Sequence, residues 1–448
     1  MPRPQLPSPR EFVQLLRLAW PLILAQLAQN SLSFIDTMMV GRLGEQSLAG
    51  IAIGGTVFFF VVFILSGMIL AVGPIVSQAV GANNLAEASQ AAQQGLWLGI
   101  FMVPLTAIIF SGMHPWLIWS GQSIDTANLA SAYLQAISWG LPAMFGLMAL
   151  RGFLEGHSDT TPIMLICFIG VGLNVIANRI LIFGWSWIPA MGMVGTGYAS
   201  AIVYTVMFFA MAIYIHRRYP DCRVISIRPF PQLGTFGKLL KIGAPIGLTI
   251  GFEIGLFSMM AFMIGQFGTE SLAAHQIAVQ SASISFMIPL GIGLAASIRV
   301  GNAIGRGSRS DAAESGYTGM LLALSYAFVP GMIFWFLPEA VLSLYFDISS
   351  PENEATTKVA VSFLRVAAMF QLFDAIQVVA SCCLRGLKDT RAAMLLSLLS
   401  YWGVGMVASL LFSYTFKFGP IGFWYGAAFA LGAAAILLTT RFYNQVSR

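Results

Sequence analysis

Long apolar runs recur along this chain from end to end. A bilayer's hydrocarbon core is about 30 Å thick, so a helix needs roughly 20 consecutive apolar residues to cross it. Twelve such runs can be marked, at 18–40, 51–73, 94–113, 128–150, 162–183, 193–216, 243–265, 275–298, 316–338, 358–382, 392–414 and 420–440. Only 9% of the 448 residues are charged, where a soluble domain carries about 25%. In lipid every backbone N–H and C=O must be satisfied within its own element, so these runs are expected to be helices. The expected fold class is an all-α membrane protein of twelve transmembrane helices, with the lipid bilayer as its surroundings.

The Pro-rich, basic start MPRPQLPSPREF leads into a long run that contains Asp36 and ends in no small-residue cleavage pattern. It reads as a retained first span rather than a signal peptide. Cys167, Cys222, Cys382 and Cys383 form no CxxC pair and no disulfide framework, and are expected to be small buried hydrophobes. The net charge of +5 raises the question of a polyanionic partner. Sorting the loops between the twelve spans answers it. The N-terminus, the loops around 80–92, 151–161, 217–242, 299–315 and 383–391, and the C-terminus hold 18 of the 23 Lys and Arg residues. Arg3, Arg151, Arg228 and Arg448 are among them. The other loops, with their nearby helix ends, hold Arg42, Arg179, Lys358, Arg365 and Lys417, with the acidic cluster Glu339, Asp347, Glu352 and Glu354. Positive charge stays on the cytoplasmic side, so both termini are expected there, and the basic balance reports topology rather than nucleic acid.

The chain also repeats itself. At an offset of 224, residues 21–81 lie on 245–305 without a gap, with 17 identities in 61 positions. Pro21 meets Pro245, GRLGEQSLA meets GQFGTESLA, and Gly81 meets Gly305. With small changes of offset, LRG at 150–152 matches LRG at 384–386, and GMVG at 192–195 matches GPIG at 419–422. The shift spans six helices, so both halves insert the same way up, as in the parallel repeats of secondary transporters. The expected organisation is a six-helix lobe at 1–216, a cytoplasmic linker at 217–242 and a second six-helix lobe at 243–448.

Three acids sit deep in apolar runs: Asp36, Glu253 and Asp374. A charge at the centre of a membrane helix costs at least about 2.5 kcal/mol, so such residues face a cavity or the bundle interior and mark function. On a helix of about 100° per residue, Gln26, Gln29, Asn30, Ser33, Asp36 and Thr37 share one narrow face. Thr249 lies one turn from Glu253, and Gln377 and Ser381 lie beside Asp374. Asn174 and Asn178 point together into the first half, and Gln276, Gln280 and Ser283 make a similar stripe in the second. Such amides also serve as plain interhelical hydrogen bonds. In the repeat register Glu253 falls on Gln29, and Asp36 on Met260, so the charges are not copied between halves. His275 is expected near a helix end as an interfacial hydrogen-bonding residue.

No HExxH, Walker A or G-x-S-x-G motif is present, and no soluble nucleotide-binding domain. An enzyme is not expected, and no cofactor. Energy would come from an ion gradient. A carboxylate in a low-dielectric cavity holds a proton, a Na⁺ ion or an organic cation, and these compete for one negative charge. That competition is the core of antiport. The substrates implied are small cationic amphipathic molecules, exported against inward Na⁺ or H⁺.

Several segments together resemble the multidrug and toxic compound extrusion (MATE) family over essentially the whole chain. They are AWPLILAQLAQNSLSFIDTMMVGRLG, its copy IGAPIGLTIGFEIGLFSMMAFMIGQFG, AAHQIA at 273–278, LRGFLEGHSDTTP at 150–162 and LRGLKDT at 384–390. The Glu of the seventh span and the Asp of the tenth are similar to the NorM-type branch. The resemblance implies a V-shaped pair of six-helix bundles in a bacterial inner membrane, working as a monomer in Na⁺- or H⁺-driven drug export. It implies that Asp36 is the first-span acid and that Glu253 and Asp374 are the cation-site acids, metal ligands if the ion is Na⁺. It places Asn174 on the fifth-span polar face. Two positions depart. Asn178 stands where another branch has an aspartate, and Phe286 and Phe370 stand where NorM-type members place tyrosines. The alternative reading is a lipid-linked oligosaccharide flippase of the same superfamily, which should line its cavity with Arg and Lys for a pyrophosphate. Here the candidate residues are acidic.

Overall fold

In the computed structural model, residues 8–225 and 232–447 are described. Arg3, Arg228 and Arg448 of the charge sort, and residues 226–231 of the expected linker, lie outside the described residues. The helices run α1 (Pro9–Gly41), α2 (Glu45–Gly81), α3 (Leu85–Trp119), α4a (Ile124–Ser138), α4b (Leu141–Gly156), α5 (Thr161–Phe183) and α6 (Met193–Arg218). The second half follows with α7 (Leu233–Gly265), α8 (Thr269–Gly305), α9 (Arg309–Phe336), α10 (Pro351–Gly386), α11 (Thr390–Thr415) and α12 (Pro420–Val446). Among the described residues 11 helices are long and apolar enough to cross a membrane, or 12 if α4a and α4b count as one. Large apolar side chains such as Phe34, Ile108, Phe262 and Ile436 lie exposed, as expected where the surrounding solvent is lipid.

The expected single span at 128–150 is broken. The axes of α4a and α4b differ by 56°. Pro142, in the first turn of α4b, has no N–H to continue the ladder. Gly140 fills the corner, where a Cβ would come within 2.6 Å of the Ala201 Cα on α6.

The chain forms two compact units. One is Leu24–Gly247; the other is Leu248–Arg448 with the described part of Met1–Ile23. The division therefore falls inside α1 and α7 rather than in the 217–242 loop. Side-chain contacts give the reason. Glu11 at the start of α1 pairs with Arg299 of α8 and accepts a hydrogen bond from Ser315 of α9 at 2.6 Å. Midway along α7, a Cβ on Gly247 would meet the Ile64 carbonyl of α2 at 2.2 Å.

The repeat read from the sequence is visible in these contacts. A Cβ on Gly67 would fall 2.1 Å from the Gly247 Cα, and one on Gly291 would fall 2.9 Å from the Ile23 Cα. Residues 67 and 291, and 23 and 247, are partners at the 224 offset. The copy extends past residue 81. Asn84 caps α3 by accepting from the Glu87 N–H at 3.1 Å, and its counterpart Ser308 caps α9 by accepting from the Asp311 N–H at 3.2 Å.

Candidate functional site: buried carboxylates

Each unit holds its own acidic cluster. In the first, Asp36 comes from the last turns of α1 and is only 7% exposed. Its Oδ1 accepts from the Asn174 Nδ2 at 2.9 Å and the Asn178 Nδ2 at 2.6 Å, both from α5. Its Oδ2 accepts from the Ser200 hydroxyl of α6 at 3.0 Å. The four-residue spacing of the two asparagines puts both amides on one face, aimed at one carboxylate. Asp36, Asn174 and Asn178, singled out on separate spans in the sequence, meet here, and Ser200 joins them. Ser200 carried no signal in sequence, because small hydroxyls are common on membrane helices. The Asn178 Oδ1 is buried without a hydrogen-bond partner.

The α1 stripe does not act as one surface. Gln29 and Gln26 turn to Arg151 instead, which donates from Nη1 and Nη2 at 2.7 Å to each amide oxygen. Its Nε donates to Glu155 at 2.7 Å. The charge sort assigned Arg151 to a loop. It is a residue of α4b with most of its side chain covered, because three acceptors can hold the guanidinium there. Asn30 and Ser33 remain partly exposed beside the Asp36 cluster. Gln280 is exposed on α8, and its side chain makes no hydrogen bond among the described residues.

The second unit assembles Glu253 of α7 with Asp374 and Gln377 of α10 and Tyr401 of α11. Gln377 donates to the Asp374 Oδ1 at 3.0 Å and accepts from the Tyr401 hydroxyl at 3.0 Å. The same hydroxyl lies beside Glu253, and Glu253 and Asp374 stand close enough to interact electrostatically. Both acids are partly exposed, whereas Gln377 and Tyr401 are buried. Tyr401 was not singled out in sequence. Its position depends on a widened π-helical stretch, Leu399–Met406, inside α11. There the neighbouring Trp402 also reaches α7, donating to the Phe252 carbonyl at 3.2 Å.

Phe370 is buried against Trp424, with ring centroids 5.7 Å apart, and so packs the core of this unit. The phenol of Tyr401 stands at the acid cluster itself. His275, expected near a helix end, lies within α8 at 2% exposure, covered by Trp424. The helix simply begins earlier than the apolar run. The four cysteines are free and buried. Among the described residues no group of three or more His, Cys, Asp or Glu gathers to hold a metal. The carboxylates, the Gln377 carbonyl and the Tyr401 phenol offer oxygen donors only, a set suited to a proton or a hard cation. None of the ion pairs among the described residues includes Asp36, Glu253 or Asp374. The side-chain hydrogen bonds to Asp36 and Asp374 come from neutral donors.

The family model MatE matches residues 21–180 and 245–411. The two segments start at the two prolines that define the repeat. A probable multidrug resistance protein NorM of Pseudomonas putida is 37% identical over 441 residues, covering 98% of this chain and 95% of that protein. The multidrug resistance protein MdtK of Edwardsiella ictaluri is 34% identical, covering 96% and 95%. Among solved structures, the eukaryotic MATE transporter AtDTX14 matches with a TM-score of 0.85 at 20% identity, covering 98% of both chains. A MOP superfamily transporter from Pyrococcus furiosus matches with a TM-score of 0.87 at 18% identity, covering 98% and 96%. These last two likenesses speak to the fold.

Proposed function

Because this chain belongs to the MatE family, a multi-pass membrane protein with two related six-span halves, we propose that it is a secondary active multidrug efflux antiporter. It exports small amphipathic organic cations in exchange for inward Na⁺ or H⁺. The observation that carries this reading is the pair of separate acidic clusters, one per unit, each built on neutral hydrogen-bond donors. A buried carboxylate without a fixed counter-ion is stable only while it shares a proton or a cation. Asp36, with Asn174, Asn178 and the adjoining Asn30 and Ser33, serves the substrate side. Glu253 and Asp374, with Tyr401 and Gln377, serve the coupling ion. Inward movement of one charge releases roughly 2.3 kcal/mol per 100 mV of membrane potential, which alternating access converts into export. The protein sits in the bacterial inner membrane as a monomer, with both termini cytoplasmic.

Reconstituted protein tests this directly. With ethidium as the tracer, an inward Na⁺ gradient and an inward H⁺ gradient are applied to liposomes separately. At least one should drive ethidium movement. Asp36→Asn and Asp374→Asn should each reduce it by about tenfold or more, the factor equivalent to ~1.4 kcal/mol of lost coupling. Unaltered transport by both variants would remove the carboxylates from the mechanism. Movement under neither gradient would favour the flippase alternative, whose pyrophosphate needs free cationic side chains; Arg151 of the first unit is already bound to three acceptors.

A further inference from the structure

The coupling-ion cluster continues along α10 beyond the residues assigned to it. Asp374, Gln377, Ser381 and Arg385 recur every three or four residues and so share one face of the helix. Gln377 is tied to Asp374 and Tyr401. The Ser381 hydroxyl is buried and has no hydrogen bond. The Arg385 side chain, partly buried at the end of this face, makes no hydrogen bond or ion pair among the described residues. Its nearest acidic loop neighbour, Asp389, is already engaged by Arg441 and Gln445 at 2.6 and 2.9 Å. The guanidinium does attract Glu253 across the intervening space.

The internal repeat says what such an arginine can do. The LRG matches make Arg385 the counterpart of Arg151, and the 224 offset makes Glu253 the counterpart of Gln29. In the first unit this pair is closed: Arg151 donates to Gln29 at 2.7 Å. In the second unit the same two positions carry an acid and a base, yet they are open. The stronger partnership of the two is the one that is not made. An arginine in an apolar bundle with no acceptor is unfavourable, and so is a carboxylate without a cation.

We propose that Arg385 is a tethered counter-cation for Glu253, closing on the carboxylate when the Glu253–Asp374 site holds no ion and giving way when the coupling cation enters. This rests on the antiport reading of that site. The arginine competes with the ion for one negative charge. It therefore weakens ion binding, hastens ion release, and spares the emptied site an uncompensated acid. Arg385 is a positioning residue in this scheme and does not touch the transported substrate.

The full-length protein in ethidium-loaded liposomes provides the test, with initial rate followed against the concentration of whichever ion drives the wild type. Loss of a competing contact should appear as a split between affinity and turnover. Arg385→Gln is expected to lower the ion KM by about fivefold or more, the lower end of typical site-to-site coupling, while the maximal rate falls because release slows. Arg385→Lys keeps the charge without the planar fork and should give a smaller shift in the same direction. Glu253→Gln separates the two levels of argument. If it leaves ion dependence unchanged, the carboxylate reading itself fails. If it abolishes ion dependence while Arg385→Gln keeps the wild-type KM, only the proposal about Arg385 is overturned. A merely structural arginine would lower the melting temperature and the rate without tightening the ion KM. Should the Gln variant not fold, the Lys variant decides by the same KM, and a wild-type value there overturns the proposal.

Discussion

Asp36 takes all of its donors, and His157 one of its two ring neighbours, from other elements. Asp36 depends on α5 and α6 for all three of its donors. The acid and the asparagines were readable in sequence because polar side chains in apolar runs stand out. The serine and the tyrosine of the second cluster were not, since Ser and Tyr occur in many spans for packing reasons alone. His157, just past the end of α4b, is wedged between Phe153 and Tyr219, with centroid distances of 4.2 and 4.9 Å. Burial holds its imidazole below the ordinary value of 6.5; the hydrogen bond to the Phe153 carbonyl and nearby Asp159 offset part of that. The unfolded chain thus takes up this proton more readily than the folded one. Its contribution to stability is whole above the unfolded value of 6.5 and is lost as pH falls through the folded value below it. The melting temperature in detergent should decline on acidification from about pH 7 to about pH 5, and His157→Gln should flatten part of that decline. An identical slope in the variant would mean that other groups carry it.

The helices as elements were legible from apolar length, but their contacts were not. Glycines that in sequence look like generic membrane-helix composition turn out to set particular approaches. On α11 and α12, Gly405 lies against Ala430, Ser409 against Gly426 and Ser413 against Gly422, a ladder of small residues at four-residue spacing. A Cβ on Gly426 would fall 2.4 Å from the Ser409 backbone nitrogen, whereas one on Gly55 of α2 would meet nothing within 4 Å. Gly426→Val is expected to destabilise by about 1–3 kcal/mol or to abolish folded yield, while Gly55→Ala is expected to be neutral or slightly stabilising. Thermal denaturation of the two purified variants checks the contrast, and equal behaviour would contradict the packing described. The break between α4a and α4b shows the same limit. Pro142 signalled it in sequence, but an apolar run of ordinary length concealed it, because proline within membrane helices is often accommodated without a sharp bend.

At the scale of the molecule, the proposed cytoplasmic location of both termini rests on an even number of spans and on the loop charges, and it can be tested. Ser310→Cys at the start of α9 and Ser349→Cys before α10 lie in exposed segments on opposite sides of that scheme. The four native cysteines are buried, which keeps the labelling background low. A membrane-impermeant maleimide added to intact cells should label Ser349→Cys and spare Ser310→Cys. The reverse pattern would invert the topology.

By itself the sequence determined that this chain lives in a bilayer, that it consists of two related six-span halves, and that three acids lie where acids are unfavourable. Each follows from one-dimensional signals: apolar length, self-similarity at a fixed offset, and charge out of place. How those acids are partnered was set by the packing of one helix against another. It split the α1 stripe between Arg151 and the Asp36 cluster, brought Tyr401 to Glu253 through a π-helical stretch, and left Arg385 open where its counterpart is closed. The physical reason is that a membrane helix fixes which residues share a face, while the choice among acceptors on that face belongs to the neighbouring helices that pack against it.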